Sequence, residues 1–382
     1  MIVELSENSL VTLLLCSNLS LSSSESPLSD VTYDALAHVL FLNGLEPSDL
    51  FRCDKSQLQS LINSSEKLRK VTSKLDLCKK IVFLLRRHQQ VYIELDSLHN
   101  YGVNVITRAD RKIYPGKLIE KFKLAGFKLP AVMYYCGSAD VLSNKCIAVV
   151  GSRLLDDIDP IEQFISKFVS LFNFHGYSLS SGGAKGVDTI AEISARDNNV
   201  SSIITVSDNL IKRTQSSEIR HSIMQGRSLY LSLEHPQAPF RGFNAMKRNK
   251  IIYALSDYAM IVNATYKTKK KGEVAIIDYN KGGTWVGAHE CYKYNLSKLM
   301  VRSCGENTPS GNKVMLETLK DVIEVSESKL FSDADYFSCL LSRSQSSNHL
   351  NSPENSISNN ISDKVTNLNS ETGVTNFEIF CS

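Results

Sequence analysis

One stretch decides the fold of this chain: Ile147-Ala148-Val149-Val150-Gly151-Ser152-Arg153. Its apolar, β-branched residues end in a glycine and a cation, which is typical of a buried strand that runs into an anion-binding turn. A second unit of this kind follows, in which Tyr177 to Ser180 leads into Ser181-Gly182-Gly183-Ala184-Lys185-Gly186-Val187-Asp188. Glycine turns and helix N-termini present backbone N–H groups to anions, so the two loops together predict one phosphate site.

Around these loops, from 145 to about 330, short β-branched runs alternate with amphipathic helical segments. This alternation predicts an α/β domain with a parallel sheet covered on both faces. The first helix is well marked, because Asp159 and Pro160 stand at its start and Gly176 stands beyond its end. The strand candidates are Cys146–Val150, Tyr177–Ser180, Ser202–Val206, Ser228–Leu231, Tyr258–Asn263 and Lys298–Arg302.

The flanking segments differ in pattern from this domain. Residues 1–100 carry apolar residues at helical spacing and predict a small helical domain. Residues 101–144 lose this period and contain Pro115 and Pro130, so we expect an irregular connector. Residues 338–382 form a polar segment in which sixteen of the thirty residues from 341 to 370 are serine or asparagine. Such a segment cannot bury a core and is expected to be disordered.

Composition bounds the class of protein. The chain has 382 residues, 42% of them hydrophobic, and a net charge of +3, so a nucleic-acid partner must be argued from where the cations lie. Nine cysteines without a CxxC pair indicate reduced thiols and a cytoplasmic location. The apolar run from Leu10 to Leu15 is too short to span a membrane, and the acidic Glu4 and Glu7 do not fit a signal peptide. We therefore expect no membrane association.

A third element is Phe243-Asn244-Ala245-Met246-Lys247-Arg248-Asn249-Lys250, at the start of a predicted helix. An aromatic ring beside three cations suits single-stranded nucleic acid, because the ring stacks on a base while the cations contact phosphates. Arg241 and the run Lys267–Lys271 add further positive charge. The alternative is a solvated basic helix face, with the lysine run as the tip of a hairpin.

The two glycine loops also have alternatives without a ligand. Arg153 could pair with Asp156 or Asp157 instead of binding two phosphate oxygens. The second loop fits neither the GxGxxG nor the Walker A pattern and could be a tight turn only. Asp188 is expected to cap or brace this loop, or to orient Lys185.

The sequence contains no recognisable catalytic arrangement. The eight histidines are dispersed, HExxH and GxSxG are absent, and His289-Glu290 has no further ligand at metal spacing. We expect no enzymatic activity, no metal and no cofactor.

These motifs, in this order, resemble the DprA/Smf family of DNA-processing proteins, and the likeness extends from about Gly102 to Val325. It includes Ile106-Thr107, Tyr114-Pro115, Leu233-Glu234-His235-Pro236 and Gly282-Gly283-Thr284 besides the three elements above. The resemblance implies an extended Rossmann-like fold that binds single-stranded DNA in a basic pocket. It also implies a homodimer that helps to load a RecA-type recombinase during DNA uptake (natural transformation) or recombination.

The resemblance assigns Arg153, Gly182, Gly183, Lys185, Lys247, Arg248 and Asn249 to the phosphate pocket and makes Phe243 a base platform. The chain departs from the family pattern in several places. It has Arg248-Asn249-Lys250 where Arg-Asn-Arg is usual, Lys281-Gly282-Gly283-Thr284 where Ser-Gly-Ser/Thr is usual, no glycine turn between Val206 and Arg213, and a polar tail where many members have a winged helix. The full set expected to contact DNA or phosphate is Gly151, Ser152, Arg153, Ser181, Gly182, Gly183, Lys185, Phe243, Lys247, Arg248, Asn249 and Lys250.

Two other functions are open at this point. Gly282-Gly283-Thr284 followed by Glu290 is faintly similar to the PGGxGTxxE loop of phosphoribohydrolases, which suggests a nucleotide-binding enzyme or sensor on a related Rossmann-like fold. Alternatively, the fold serves as a scaffold in a defence or recombination complex, with the tail and the helical domain as the working parts.

Overall fold

The computed structural model describes residues 5–22, 25–72, 76–155, 157–271, 274–278 and 282–346. The helices of this part of the chain are α1 (Glu7–Cys16), α2 (Asp30–Leu42), α3 (Lys55–Ser64), α4 (Glu66–Thr72), α5 (Leu77–Leu85), α6 (His88–Asn100), α7 (Gly116–Ala125), α8 (Asp159–Ser170), α9 (Val187–Asp197), α10 (Leu210–Arg213), α11 (Ser217–Met224), α12 (Gly242–Leu255), α13 (Gly283–Lys293), α14 (Ser310–Thr318), α15 (Glu327–Ser332) and α16 (Tyr336–Ser346). The strands are β1 (Val103–Thr107), β2 (Val132–Gly137), β3 (Lys145–Gly151), β4 (Tyr177–Ser181), β5 (Ser202–Val206), β6 (Ser228–Ser232), β7 (Tyr258–Asn263), β8 (Lys267–Lys271), β9 (Val274–Asp278), β10 (Lys298–Ser303) and β11 (Ile323–Ser326).

The core of the fold is a nine-stranded sheet in the order β1-β2-β6-β5-β4-β3-β7-β10-β11. In this sheet order, every neighbouring pair from β6 through β5, β4, β3, β7 and β10 to β11 is parallel. At the other edge, β1 pairs with β2, and β2 with β6, in antiparallel orientation. The six strands predicted from β-branched runs are confirmed as β3, β4, β5, β6, β7 and β10. The α/β class and the helical N-terminal region are confirmed as well.

The expectation of an irregular connector over 101–144 is wrong. This segment forms β1, α7 and β2, and the two strands extend the parallel sheet at one edge. Its prolines mark element boundaries, since Pro115 is the N-cap residue of α7 and Pro130 lies just before β2. The strands are short and buried on both faces, so they show neither helical nor alternating periodicity.

The predicted polar tail begins later than Ser338. Residues up to Ser346 are helical, and Leu340 and Leu341 of α16 are buried with Phe337. The Phe337 ring lies 5.3 Å from that of Phe168 in α8, edge to face. These apolar residues follow a helical period and cover α8, which explains why this part of the segment is ordered. The rest of the predicted tail, 347–382, lies outside the described residues.

The N-terminal helices share their apolar core with the sheet. One continuous cluster of buried side chains runs from α1 through β1 and β2 to α8 and α9. Two ionic contacts of the buried Asp34 in α2 link the helices to the sheet: one with the buried Arg108 and one, at 2.9 Å, with the exposed Lys128. No helix in the described part of the chain is long and apolar enough to cross a membrane.

The sheet order reverses between β3 and β7. The chain continues from β3 to β4 on one side and from β7 to β10 on the other, so the connections leave a crevice beyond the carboxyl ends of these two strands. Ligands of open α/β sheets bind at such switch points. The first glycine loop follows β3 and therefore lies at this crevice.

Candidate nucleic-acid interface

A cavity of about 470 Å³ opens at the switch point. Its walls come from the loop after β3, the loop after β4, α12 and the N-terminus of α13. The lining residues are Val150, Gly151, Ser152, Arg153, Leu154, Ala184, Asp188, Phe240, Gly242, Ala245, Met246, Arg248, Asn249, Ile252, Tyr253, Thr265, Gly282, Gly283 and Thr284. The first predicted loop, part of the second and one side of α12 thus meet in one place.

The two glycine loops are packed directly against each other. Gly186 has φ +80° and ψ −132°, and a Cβ atom there would lie 2.4 Å from the carbonyl oxygen of Ser152. A Cβ atom on Gly151 would lie 2.4 Å from Cγ2 of Val187. The backbone N–H of Val187 donates to the carbonyl of Ser152 at 3.3 Å. The glycines are therefore required for the approach of the loops as well as for access to an anion.

The floor of the cavity contains a buried ion pair. Arg248 Nη1 lies 3.5 Å from Asp188 Oδ2, and both side chains are buried. The guanidinium crosses directly over Gly182, where a Cβ atom would lie 1.2 Å from Nη1. Asp188 also accepts from the backbone N–H of Ala184 at 3.4 Å and so braces the second loop, one of the two roles expected for it.

Burial disfavours the charged forms of Asp188 and Arg248, whereas their proximity favours them. Burial raises the pKa of Asp188 above its usual value, while Arg248, the Ala184 N–H and Arg153 act to lower it. Burial likewise lowers the pKa of Arg248, and the adjacent Asp188 acts in the opposite direction. Nε of Arg248 has no hydrogen-bond partner. The charge of Arg248 is thus offset by a carboxylate, while its Nε is left as a buried donor without an acceptor among the described residues.

Arg153 is the exposed cation of the cavity. Its guanidinium carbon lies 5.1 Å from the centre of the Phe240 ring, a cation–π contact that holds the side chain at the rim. It forms no ion pair with a described carboxylate, including Asp157; Asp156 lies outside the described residues. Within the described structure Arg153 therefore has no ion-pair partner, and the nearby Asp188 carboxylate is paired with Arg248.

Two helix N-termini add positive potential. α13 begins at Gly283 after Gly282, whose φ is +96°, and no side chain caps this end. The first N–H groups of a helix have no intrahelical acceptor, and here Gly282, Gly283 and Thr284 line the cavity. α9 likewise begins after Gly186 without a side-chain cap. Both ends favour a bound anion.

Other predicted residues lie away from the cavity. Lys247 Nζ is 3.8 Å from Asp30 Oδ2 of α2, in a crevice next to the N-terminal helices. Lys250 pairs with Glu290 at 2.9 Å and lies over the Phe127 ring. Successive residues of a helix point about 100° apart, so Arg248 points in a different direction from Lys247, one residue before it, and from Lys250, two residues after it. Their contacts with DNA stay predictions.

Of the remaining predicted residues, some line the cavity and others lie outside it. Ser181 is buried and its hydroxyl donates to the carbonyl of Val149 at 2.8 Å, so it supports the strand end. Lys185 is exposed on the second loop and Gly183 lies beside it with φ +61°, but neither lines the cavity. Phe243 is 78% exposed at the start of α12, outside the lining. Asn249 lines the cavity.

The sequence analysis did not identify several lining residues. Phe240, which is 49% exposed, has no pattern of its own because it lies in the loop before α12. Met246 and Tyr253 lie on the same side of α12 as Asn249, and their spacing of three and four residues from it was the available signal. Thr265 lines the cavity because it lies two residues beyond the end of β7.

Comparison with known proteins relates this arrangement to one family. The family model described as DNA recombination-mediator protein A matches residues 104–278, less than half of the chain. Protein Smf of Escherichia coli (strain K12) is 26% identical over 162 residues, which are 42% of this chain and 41% of that protein. The match therefore spans about two fifths of the length of this curated relative.

Two solved structures are similar as well. DNA processing protein A (DprA) from Streptococcus pneumoniae shares the fold with a TM-score of 0.56 at 17% identity, over 86% of this chain and 98% of that one. DNA processing protein A from Helicobacter pylori, a structure described for its single-stranded DNA binding mode, gives a TM-score of 0.45 at 22% identity, over 59% and 93%. The family match runs from β1 to β9 and includes both glycine loops and α12, so the resemblance of residues 104–278 to the DprA/Smf family of DNA-processing proteins extends over the whole candidate interface.

Proposed function

We propose that this chain is a non-enzymatic DNA-processing protein that binds single-stranded DNA, with a backbone phosphate held in the switch-point cavity. The observation that carries the proposal is the exposed Arg153, which has no ion-pair partner among the described residues, at a cavity bordered by two uncapped helix N-termini. A guanidinium binds two phosphate oxygens at once, and helix N-termini favour the same anion. The match of residues 104–278 to the model of a DNA recombination-mediator family supports DNA as the source of the phosphate.

The rim of the cavity favours an unpaired strand. Phe240 and Phe243 expose 49% and 78% of their surface, and Met246 exposes 48%. Exposed rings beside a cation stack on bases, which requires that the bases are not paired in a duplex. We therefore propose Arg153, the adjacent backbone of Gly151 and Ser152, and Asn249 as phosphate contacts, with the two rings as base platforms.

The proposal extends to what the family resemblance implies. The chain would act as a homodimer that loads a RecA-type recombinase on the bound strand, in DNA uptake or in recombination. Sedimentation of the full chain tests the dimer. Strand exchange by a RecA-type recombinase on DNA coated with single-strand-binding protein, with and without this chain, tests loading. Equal strand exchange in both reactions would contradict it.

Arg153→Ala is expected to weaken single-strand binding by roughly 10- to 150-fold, because a charge-assisted contact contributes about 1.5–3 kcal/mol. The slope of log affinity against log salt should fall by about 0.7, since one phosphate is no longer neutralised. Fluorescence anisotropy of a labelled oligonucleotide over a series of salt concentrations measures both quantities.

The matched control is Arg69→Ala. Arg69 is exposed on α4, so this variant removes one cation outside the cavity. It should bind nearly as the wild type does. Equal losses in the two variants would indicate a general charge effect and would reject the cavity as the binding site.

A second candidate function is nucleotide binding or cleavage of the phosphoribohydrolase type. The observation that favours it is the position of Gly282, Gly283 and Thr284 on a cavity whose volume suits a small ligand. Calorimetric titration with nucleoside monophosphates, followed by chromatography for released base, tests it. Absence of both heat and free base would leave DNA binding as the function of the cavity.

A further inference from the structure

A separate two-stranded sheet rises from the rim of the cavity. β8 and β9 pair only with each other and form an antiparallel hairpin outside the nine-stranded sheet. Thr265 precedes this hairpin and Gly282 follows it, and both residues line the cavity. The two ends approach closely, because a Cβ atom on Gly282 would lie 3.0 Å from the carbonyl oxygen of Thr265. The hairpin is thus rooted at the proposed phosphate site.

The positive charge of the hairpin is concentrated on β8. β8 has the sequence Lys-Thr-Lys-Lys-Lys, and β9 has Val-Ala-Ile-Ile-Asp. Four lysines and one aspartate give these ten residues a net charge of +3. Lys267 is in register with Asp278, whereas Lys269, Lys270 and Lys271 are in register with Ile276, Ala275 and Val274. Three of the four lysines therefore have uncharged cross-strand neighbours.

The cavity itself offers few cations to a long ligand. Within the described residues Arg248 is offset by Asp188, and Lys250 by Glu290, which leaves Arg153 for a phosphate. Affinity for a polyanion grows with the number of phosphates neutralised. A strand longer than the cavity thus gains affinity from positive charge beyond it, and the hairpin begins at the rim of the cavity.

We propose that β8 is a second phosphate-binding segment, which contacts the single strand as it emerges from the cavity. Alternate residues of a strand share a face and lie about 7 Å apart, on the order of the distance between successive phosphates of an extended nucleic-acid strand. Lys267, Lys269 and Lys271 occupy such alternate positions. This inference rests on the proposed function, because it takes the ligand in the cavity to be part of a longer DNA strand.

Exposed strands also carry lysines for another purpose, namely to prevent pairing with other chains. That role would make oligonucleotide length irrelevant, whereas a phosphate-binding segment affects only ligands long enough to reach it. The length dependence of binding therefore distinguishes the two roles.

The test uses the full chain with all four β8 lysines, Lys267, Lys269, Lys270 and Lys271, changed to glutamine. Anisotropy is measured with thymidylate oligonucleotides of about 5 and about 20 nucleotides, a range of site sizes typical for single-strand binders. We expect affinity for the long oligonucleotide to fall by about tenfold or more at low salt, and its salt slope by up to about 3. Affinity for the short oligonucleotide should change less than about twofold, since one phosphate site is intact.

The matched control removes the same charge elsewhere, with the exposed lysines 55, 67, 70 and 79 of the N-terminal helices changed to glutamine. This control and a variant with arginine at all four β8 positions should bind the long strand as the wild type does. Unchanged long-strand binding in the β8 glutamine variant, or an equal loss in the control, would overturn the inference. Binding that also fails to depend on Arg153 would instead refute the proposed function.

Discussion

Arg248→Ala is expected to lower the free energy of unfolding by about 3–5 kcal/mol, because it leaves the buried Asp188 carboxylate without its cation. Exposed ion pairs contribute far less, so Lys70→Ala on α4, which breaks the exposed pair with Glu66, is the matched control and should unfold like the wild type. Denaturant unfolding followed by circular dichroism measures the difference.

The same variant should show a distinct pH dependence. Burial without Arg248 raises the pKa of Asp188 further, and a carboxyl whose folded-state pKa is raised favours the folded state most at low pH. The deficit of the variant should therefore be small near the unfolded-state pKa of about 4 and grow as pH rises toward neutrality. Arg248→Met combined with Asp188→Leu should recover most of the loss, because no buried charge is left unpaired. A deficit that is independent of pH and persists in the double variant would show that packing, and not charge, explains it.

Gly186→Ala is expected to abolish high-affinity DNA binding and to lower stability by about 2–5 kcal/mol, from backbone strain and steric overlap together. The backbone there has φ +80° and ψ −132°, and the new Cβ atom would lie 2.4 Å from the Ser152 carbonyl oxygen and 2.9 Å from Cα of Arg153. Because these are backbone atoms, relief requires the two loops to move apart, which displaces Arg153 from the cavity.

Gly116→Ala on α7 is the matched control, since a Cβ atom there meets nothing within 4 Å. Both variants are compared by thermal unfolding and by oligonucleotide anisotropy at a temperature where each is folded. Wild-type affinity in Gly186→Ala would show that the contact between the loops does not shape the binding site.

Local pattern predicted much of the fold. Six of the seven strands in the parallel part of the sheet, all except β11, and α8 were predictable because buried strands and amphipathic helices have characteristic residue patterns. β1 and β2 were missed because their burial comes from pairing with distant strands, which a local pattern does not record. The helix α16 was not predicted because its stability comes from packing on α8, whereas the polar composition of the segment suggests disorder.

The sequence by itself determined the family resemblance, the α/β class and the position of the glycine loops at the ends of β3 and β4, because strand and turn chemistry act within a few residues. Only the tertiary structure decided which cations share the cavity. Lys247, Arg248 and Lys250 are near neighbours in sequence, yet they meet Asp30, Asp188 and Glu290 on three different elements. A charge is offset by the carboxylate nearest in space, and the fold brings that carboxylate from another part of the chain. Arg153 is left as the exposed cation of the cavity for this reason.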